Sequence, residues 1–195
     1  MVRAFFNEKA SIWDATIAEK NIAKLDVMAQ HLNIKPDSSV LDVGTGTGVL
    51  VPFLLGKVGP KGRLVAIDVA EEMLKLSRAK GFCGNIEYLH ADIVNLPIAE
   101  KSFDSIVCYS SFPHFHNKPQ ALAEMARVLK NGGGLFICHT SSRSTINEIH
   151  RAVPAVENDL IPDTEDMLTL LSMAGFGDIK IEDRTDSYLA RAIKS

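Results

Sequence analysis

Long hydrophobic runs are the first thing missing. Nowhere in the 195 residues is there an apolar stretch of the length a bilayer requires, so stable membrane insertion is not expected. The opening, Met1-Val2-Arg3-Ala4-Phe5-Phe6-Asn7-Glu8-Lys9, turns polar too soon to supply the core of a secretory leader. Cysteine is scarce. Cys83, Cys108 and Cys138 are odd in number and widely spaced, which argues against a disulfide framework and for a reduced, cytoplasmic protein. Positive charge is not in excess either: 21 Lys and Arg against 24 Asp and Glu leave a net charge of −3. That balance gives no electrostatic reason to expect nucleic acid or an anionic membrane surface as a partner.

What is present suffices for one core: 46% of the residues are hydrophobic, and no linker, repeat or low-complexity segment divides the chain. A single domain over 1–195 is expected. From position 22 onward two patterns alternate. Ile22, Leu25, Met28, Ala29 and Leu32 fall on one helical face. Short apolar, β-branched runs follow at 39–43, 63–68, 86–90, 103–109 and 134–139, each suited to a buried strand. Between them lie helical patterns around 47–56, 70–80, 118–130 and 163–174. Such alternation implies an α/β fold with a parallel sheet and helices on both faces. The last stretch differs, because strand candidates at 178–182 and 188–193 are separated only by Asp183-Arg184-Thr185-Asp186, which reads as a hairpin.

The first strand leads directly into Asp42-Val43-Gly44-Thr45-Gly46-Thr47-Gly48 and then a helical pattern. Glycines allow a sharp turn and a close approach to a ligand, and the helix behind them offers free N–H groups. Spacing separates the candidate ligands. A dinucleotide fingerprint needs a glycine at the sixth position, where Val49 stands, and a phosphate-binding P-loop needs a lysine that does not appear before Lys57.

The Asp-x-Gly-x-Gly-x-Gly loop resembles the first motif of the class I S-adenosylmethionine (SAM)-dependent methyltransferases, in particular the small UbiE-like branch. The resemblance continues, in order, through Asp68-Val69-Ala70-Glu71-Glu72-Met73-Leu74, Ala91-Asp92-Ile93-Val94-Asn95-Leu96-Pro97, Phe103-Asp104-Ser105-Ile106-Val107 and Glu124-Met125-Ala126-Arg127-Val128-Leu129-Lys130-Asn131-Gly132-Gly133. It spans roughly 38–140, the expected SAM-binding core. It implies a Rossmann-like, doubly wound, mostly parallel sheet of seven strands with an antiparallel C-terminal hairpin strand. It also implies SAM as cofactor, held by Asp42, Gly44, Thr45, Gly46, Thr47, Gly48, Asp68, Val69, Met73, Asp92, Ile93, Tyr109 and Ser110. In that scheme Asp68 accepts from the ribose hydroxyls and Met73 packs on the adenine. Asp92 accepts from the adenine amino group, and the Ile93 N–H reads a ring nitrogen. Each aspartate alone also fits a helix cap or a turn.

The acceptor is expected above the ends of the fourth and fifth strands. Two segments lie there: Tyr109-Ser110-Ser111-Phe112-Pro113-His114-Phe115-His116, and 139–151. His114 and His139 are the candidate catalytic groups, because imidazole titrates near neutral pH. Asn147, His150 and Arg151 can share one helix face. With His114 and His116 that allows a polar acceptor pocket, an anion site helped by Arg143, or an imidazole metal site; no metal is assigned. Cys108 and Cys138 can be read as ligands of a soft acceptor or as small apolar residues. Residues 1–20 read as a lid over the cofactor, with core packing or a homodimer contact as the other uses of their aromatics. Residues 141–162 read as an acceptor-side insert, too short for a macromolecular platform, so the expected partner is a small-molecule methyl acceptor. Two other functions remain: a SAM-binding module without catalysis that acts through a partner, and a nicotinamide-dependent oxidoreductase.

Overall fold

The computed structural model describes residues 2–16 and 21–195; Met1 and residues 17–20, part of the expected lid, lie outside the described residues. Seven strands form one sheet: β1 (Ser39–Val43), β2 (Arg63–Asp68), β3 (Ile86–His90), β4 (Phe103–Tyr109), β5 (Leu129–His139), β6 (Phe176–Arg184) and β7 (Ser187–Lys194). Their spatial order is β3-β2-β1-β4-β5-β7-β6. β1 to β5 pair in parallel, whereas β7 runs antiparallel to both β5 and β6. The doubly wound sheet with a reversed hairpin strand is thus present.

Helices α2 (Ile22–His31) and α3 (Val51–Val58) cover one face, where Leu25, Met28, Val51 and Leu54 meet Val40, Leu64 and Val107. On the other face α5 (Lys118–Val128) and α7 (Thr164–Met173) bring Leu122, Met125, Met167 and Leu171 against Leu41, Ile106 and Ile137. Strand side chains point alternately to the two faces, which is why both layers are filled from near-continuous apolar runs. Two further helices, α4 (Glu71–Ala79) and α6 (Arg143–Arg151), follow β2 and β5, and α1 (Val2–Thr16) packs across α4 through Ala10, Ala70 and Met73.

Three boundaries differ from the sequence expectation. The helix expected at 47–56 begins only at Val51, because Gly46 and Gly48 take φ of 55° and 81° and hold the chain out of helical geometry. Pro52 then fits the first turn, where its missing N–H costs nothing. The fifth strand starts at Leu129 rather than 134, because Leu129 pairs with Phe103 before an irregularity leads to the Ser105–Gly134 pair. β6 is longer than 178–182, since Phe176 and Gly177 already pair with Lys194 and Ile193, and Asp178 at φ 46° marks a register shift.

Candidate active site

Strand order reverses between β1 and β4, where ligands of open α/β sheets sit. A cavity of about 820 Å³ opens there, walled by the carboxyl ends of β1 to β5, by α6 and by α1. Of the residues singled out in the sequence, Gly44, Thr45, Gly46, Thr47, Asp68, Val69, Met73, Asp92, Ile93, Tyr109, Ser110, His114 and His139 all line it. Asp42 and Gly48 do not. Asp42 is buried beneath the loop, and a Cβ on Gly48 would run into Ser77 and Phe82 on the far side.

The glycine loop is built differently from a phosphate cradle. Gly44 and Thr45 both donate to the Ile67 carbonyl (2.9 Å each), Gly46 donates to Asp68 Oδ2 (2.8 Å), and Gly48 donates to the Thr45 carbonyl (2.9 Å). Those four N–H groups are spent on the protein, so none of them is offered to an anion. Two acidic groups lie close by instead. Burial drives Asp42 up to about 7, and the neighbouring Asp68 charge adds to the shift. Burial also raises Asp68, although the Ala70 and Gly46 amides that it accepts from pull the other way.

Ser111 closes the back of the loop. Its hydroxyl donates to the Val43 carbonyl (2.6 Å), and its Cβ stands where a Cβ on Gly44 would project. Ser110 sits at φ 52°, an uncommon conformation for a serine. The Ser110 hydroxyl is buried with no hydrogen-bond partner among the described residues, whereas the buried Thr45 hydroxyl lies beside Asp42 and pulls its carboxyl down against the effect of burial. Tyr109 donates or accepts across to the Thr140 hydroxyl (2.9 Å), which leaves its ring as the contact with the cavity.

The loop after β3 carries Asp92 and Ile93. Asp92 is exposed and caps its own turn by accepting from the Val94 N–H (3.2 Å). Glu124 accepts from the Leu96 N–H, while Arg127 donates to the carbonyls of Leu96 and Ile98 and to Glu124. The Glu124-x-x-Arg127 pair thus braces this loop from α5.

Over the top lies α1. Arg3 donates to both carboxylate oxygens of Glu71 (3.0 and 2.8 Å), which holds Glu71 well below the usual carboxylate range, and Asn7 bridges Glu71 and the Glu72 N–H. At its far end Asp14 accepts from Thr47 Oγ1 (2.5 Å) and from Lys80 Nζ (2.7 Å), and Lys80 also donates to the Thr47 carbonyl. Phe6 packs edge-on against Trp13 and His114.

On the wall where the acceptor is expected, His114 Nδ1 meets Asp159 Oδ2 at 2.9 Å, and the His114 and His150 rings lie 4.8 Å apart. His139 is buried at the end of β5, 6.2 Å from the Tyr188 ring. His116 and His150 reach the cavity; Asn147, Arg143 and Arg151 do not. Asn147 is hydrogen-bonded to the Ile161 backbone, Arg143 pairs with Asp183 and Arg151 is exposed. Among the described residues no group of three or more His, Cys, Asp or Glu is arranged to hold a metal ion. Cys108 and Cys138 are buried, with Cys108 Sγ against Met125 Sδ, so they do not meet the cavity. Ser111, Lys80 and Asp159 escaped sequence reasoning. Asp159 is 45 residues from His114, and no local pattern joins them.

SAM fits this lining. Its sulfonium and ammonium charges suit a lining that carries Asp68 and aromatic faces, and the orphaned Ser110 hydroxyl is available to its polar groups.

Residues 41–137 match the family model described as a methyltransferase domain. A ubiquinone/menaquinone biosynthesis C-methyltransferase UbiE of Pseudomonas putida is 30% identical over 191 residues, covering 83% of this chain and 74% of that protein. The UbiE of Teredinibacter turnerae is 32% identical over 167 residues, but this chain spans only 61% of its length. A crystal structure of a SAM-dependent methyltransferase from Aquifex aeolicus superposes with a TM-score of 0.72 at 25% identity, covering 88% of this chain and 89% of that one. With the reversed hairpin, the ordered motifs and these relatives in agreement, the chain belongs to the class I SAM-dependent methyltransferases, on the UbiE-like side of the family.

Proposed function

We propose that this protein is an enzyme that transfers the methyl group of SAM to a small molecule. The observation that carries the reading is a continuous cavity that joins the glycine loop to a wall bearing histidines and apolar side chains. Its size, about 820 Å³, falls within the range of sites that enclose a cofactor-sized ligand. The sulfonium of bound SAM supplies an activated methyl group, so the protein's work is positioning and desolvation. Asp68 holds the ribose end, Met73 and Ile93 flank the base, and Asp92 meets its edge. Thr45, Ser110 and the loop backbone fix the amino-acid end, and Tyr109 faces the charged centre. Helix α1 is the lid, tied down at Glu71 and at Thr47, and it excludes water from above. His114 and His139 stand on the acceptor side, with Ile146, Ile149, Val153 and Val156 supplying the apolar contact.

One domain spans the chain, with the core at 38–140 and the acceptor-side insert at 141–162. We place it in the cytoplasm, where its three free thiols stay reduced. Association of two copies through the aromatics of the N-terminal segment is the other use of that stretch, and sedimentation velocity checks it: a monomer at all concentrations would end it. The names of the curated relatives point to carbon as one class of methylated atom. Incubation with radiolabelled SAM and a small-metabolite extract tests the function: a labelled product is expected. SAM binding with persistent absence of label would leave a binding module and end the enzyme reading.

A further inference from the structure

Two stretches far apart in the chain meet on the acceptor side: the turn Phe112–His114 after β4, and helix α6 with the loop that follows it. Asn147 clamps that loop to α6, because its side-chain amide donates to the Ile161 carbonyl (3.0 Å) and its oxygen accepts from the Ile161 N–H (2.9 Å). The clamp brings Asp159 between two imidazoles. Its carboxylate meets His114 Nδ1 at 2.9 Å, and its main-chain carbonyl meets His150 Nδ1. Phe6 of α1 closes on the His114 ring from the side, with centroids 4.9 Å apart at 77°.

These contacts set the tautomer. An ionised carboxylate only accepts, so Nδ1 of His114 carries the proton and Nε2 carries the lone pair. Nε2 has no hydrogen-bond partner among the described residues, and the ring forms part of the cavity wall. The charged and titratable groups around it are Asp159 from the loop, His150 from α6, His139 from β5 and, beside Asp159, Lys118 from α5. Burial outweighs the Asp159 contact and moves His114 below its ordinary value, so the ring is neutral at physiological pH.

We infer that Asp159 is a positioning residue that fixes His114 as the Nδ1–H tautomer, so that His114 Nε2 is the general base for an acceptor whose methylated atom carries a proton. This rests on the methyl-transfer reading and narrows its acceptor to one whose methylated atom, carbon included, carries a proton. In the step, a bond forms between the nucleophilic atom and the methyl carbon. The sulfur–methyl bond breaks with its electron pair left on sulfur, and the proton from the nucleophile passes to Nε2. The imidazolium so formed lies against the Asp159 carboxylate, and the proton leaves to solvent after product release.

The test uses the whole chain, labelled with 15N-histidine, with long-range 1H–15N correlation spectra recorded across pH. His114→Gln and His150→Gln assign the signals. The wild type should show His114 neutral near pH 7 with Nε2 unprotonated. In Asp159→Asn the amide can donate to the ring, so the other tautomer should appear, while calorimetric SAM affinity stays unchanged as proof of an intact fold. Methyl transfer from radiolabelled SAM into a small-metabolite extract should rise with pH as His114 loses its proton. It should fall by about 10- to 1000-fold in Asp159→Asn, the range expected when a base is mis-tautomerised. A wild-type Nε2–H tautomer, or wild-type transfer with an unchanged pH profile in Asp159→Asn, would overturn the inference while leaving the methyltransferase reading in place. A wild type that neither binds SAM nor labels anything would overturn both.

Discussion

At Gly44 two constraints coincide, a φ of 71° and the Ser111 Cβ standing in the path of any side chain. Gly46 shares the first constraint at φ 55° but has open space around it. Replacing each by alanine therefore separates backbone cost from crowding. Gly46→Ala should lose about 1–2 kcal/mol, the ordinary penalty for left-handed geometry, whereas Gly44→Ala should lose more and recover part of it when combined with Ser111→Gly. Denaturant melts of the three variants check this. Asp68 accepts from the Gly46 and Ala70 amides, and in the proposed function it also holds the ribose of the cofactor. Asp68→Ala should thus weaken SAM binding by about 1.5–3 kcal/mol by calorimetry, the loss typical of hydrogen bonds to a charged group. Asp42 makes a pH prediction of definite sign. Its folded value, about 7, lies above its unfolded one, so its contribution to stability is full in acid and is lost as pH rises through about 7. Asp42→Asn should remove that decline, worth up to about 4 kcal/mol for a shift of this size. Stability curves for variant and wild type that stay parallel from pH 5 to 8 would show that the carboxyl is not held this way.

Helix α1 shows where local pattern stops being informative. Its aromatics were legible as a possible cover, but nothing near Asp14 announces that its carboxylate reaches Lys80 and Thr47. Residues that meet only after tertiary docking leave no periodic trace, and Asp159 beside His114 is the same case on the acceptor wall. Helix-start errors had another cause: the loop glycines and the positive φ they adopt push α3 back to Val51, against the pull of the apolar pattern. By contrast, both faces of the sheet were readable, because buried parallel strands write themselves as continuous apolar runs. The Asp14–Lys80 pair is half exposed, so it contributes little to global stability. Lys80→Ala should leave the melting temperature nearly unchanged while loosening the end of α1 over the glycine loop. Limited proteolysis should then cut within α1 faster, and SAM should dissociate about two- to fivefold faster, as expected from losing an interaction of about 0.4–1 kcal/mol. Unchanged dissociation would mean that this end of α1 does not hold the cofactor in.

Over the whole molecule, the strand order β3-β2-β1-β4-β5-β7-β6 brings motifs spread along the chain to one rim of the sheet. That convergence follows from the right-handed, parallel crossovers rather than from any one segment, which is why an ordered series of motifs was more telling than the glycine loop alone. The rim couples to the fold through several elements at once: the loop hangs from Ile67 and Asp68 of β2, Ser111 ties β4 to β1, and α1 is pinned to α4 and to the loop. A ligand that binds this rim and not the unfolded chain must stabilise the entire domain by mass action. At a SAM concentration of 100 times its dissociation constant the gain is about 2.7 kcal/mol. For a domain of this size each kcal/mol moves the melting temperature by about 2–4 °C, so a rise of about 5–10 °C is expected by scanning calorimetry. NADH should give no comparable rise, because the N–H groups of Gly44, Thr45, Gly46 and Gly48 are already taken by protein acceptors and cannot meet a pyrophosphate. A larger shift with NADH than with SAM would reverse the assignment of the loop.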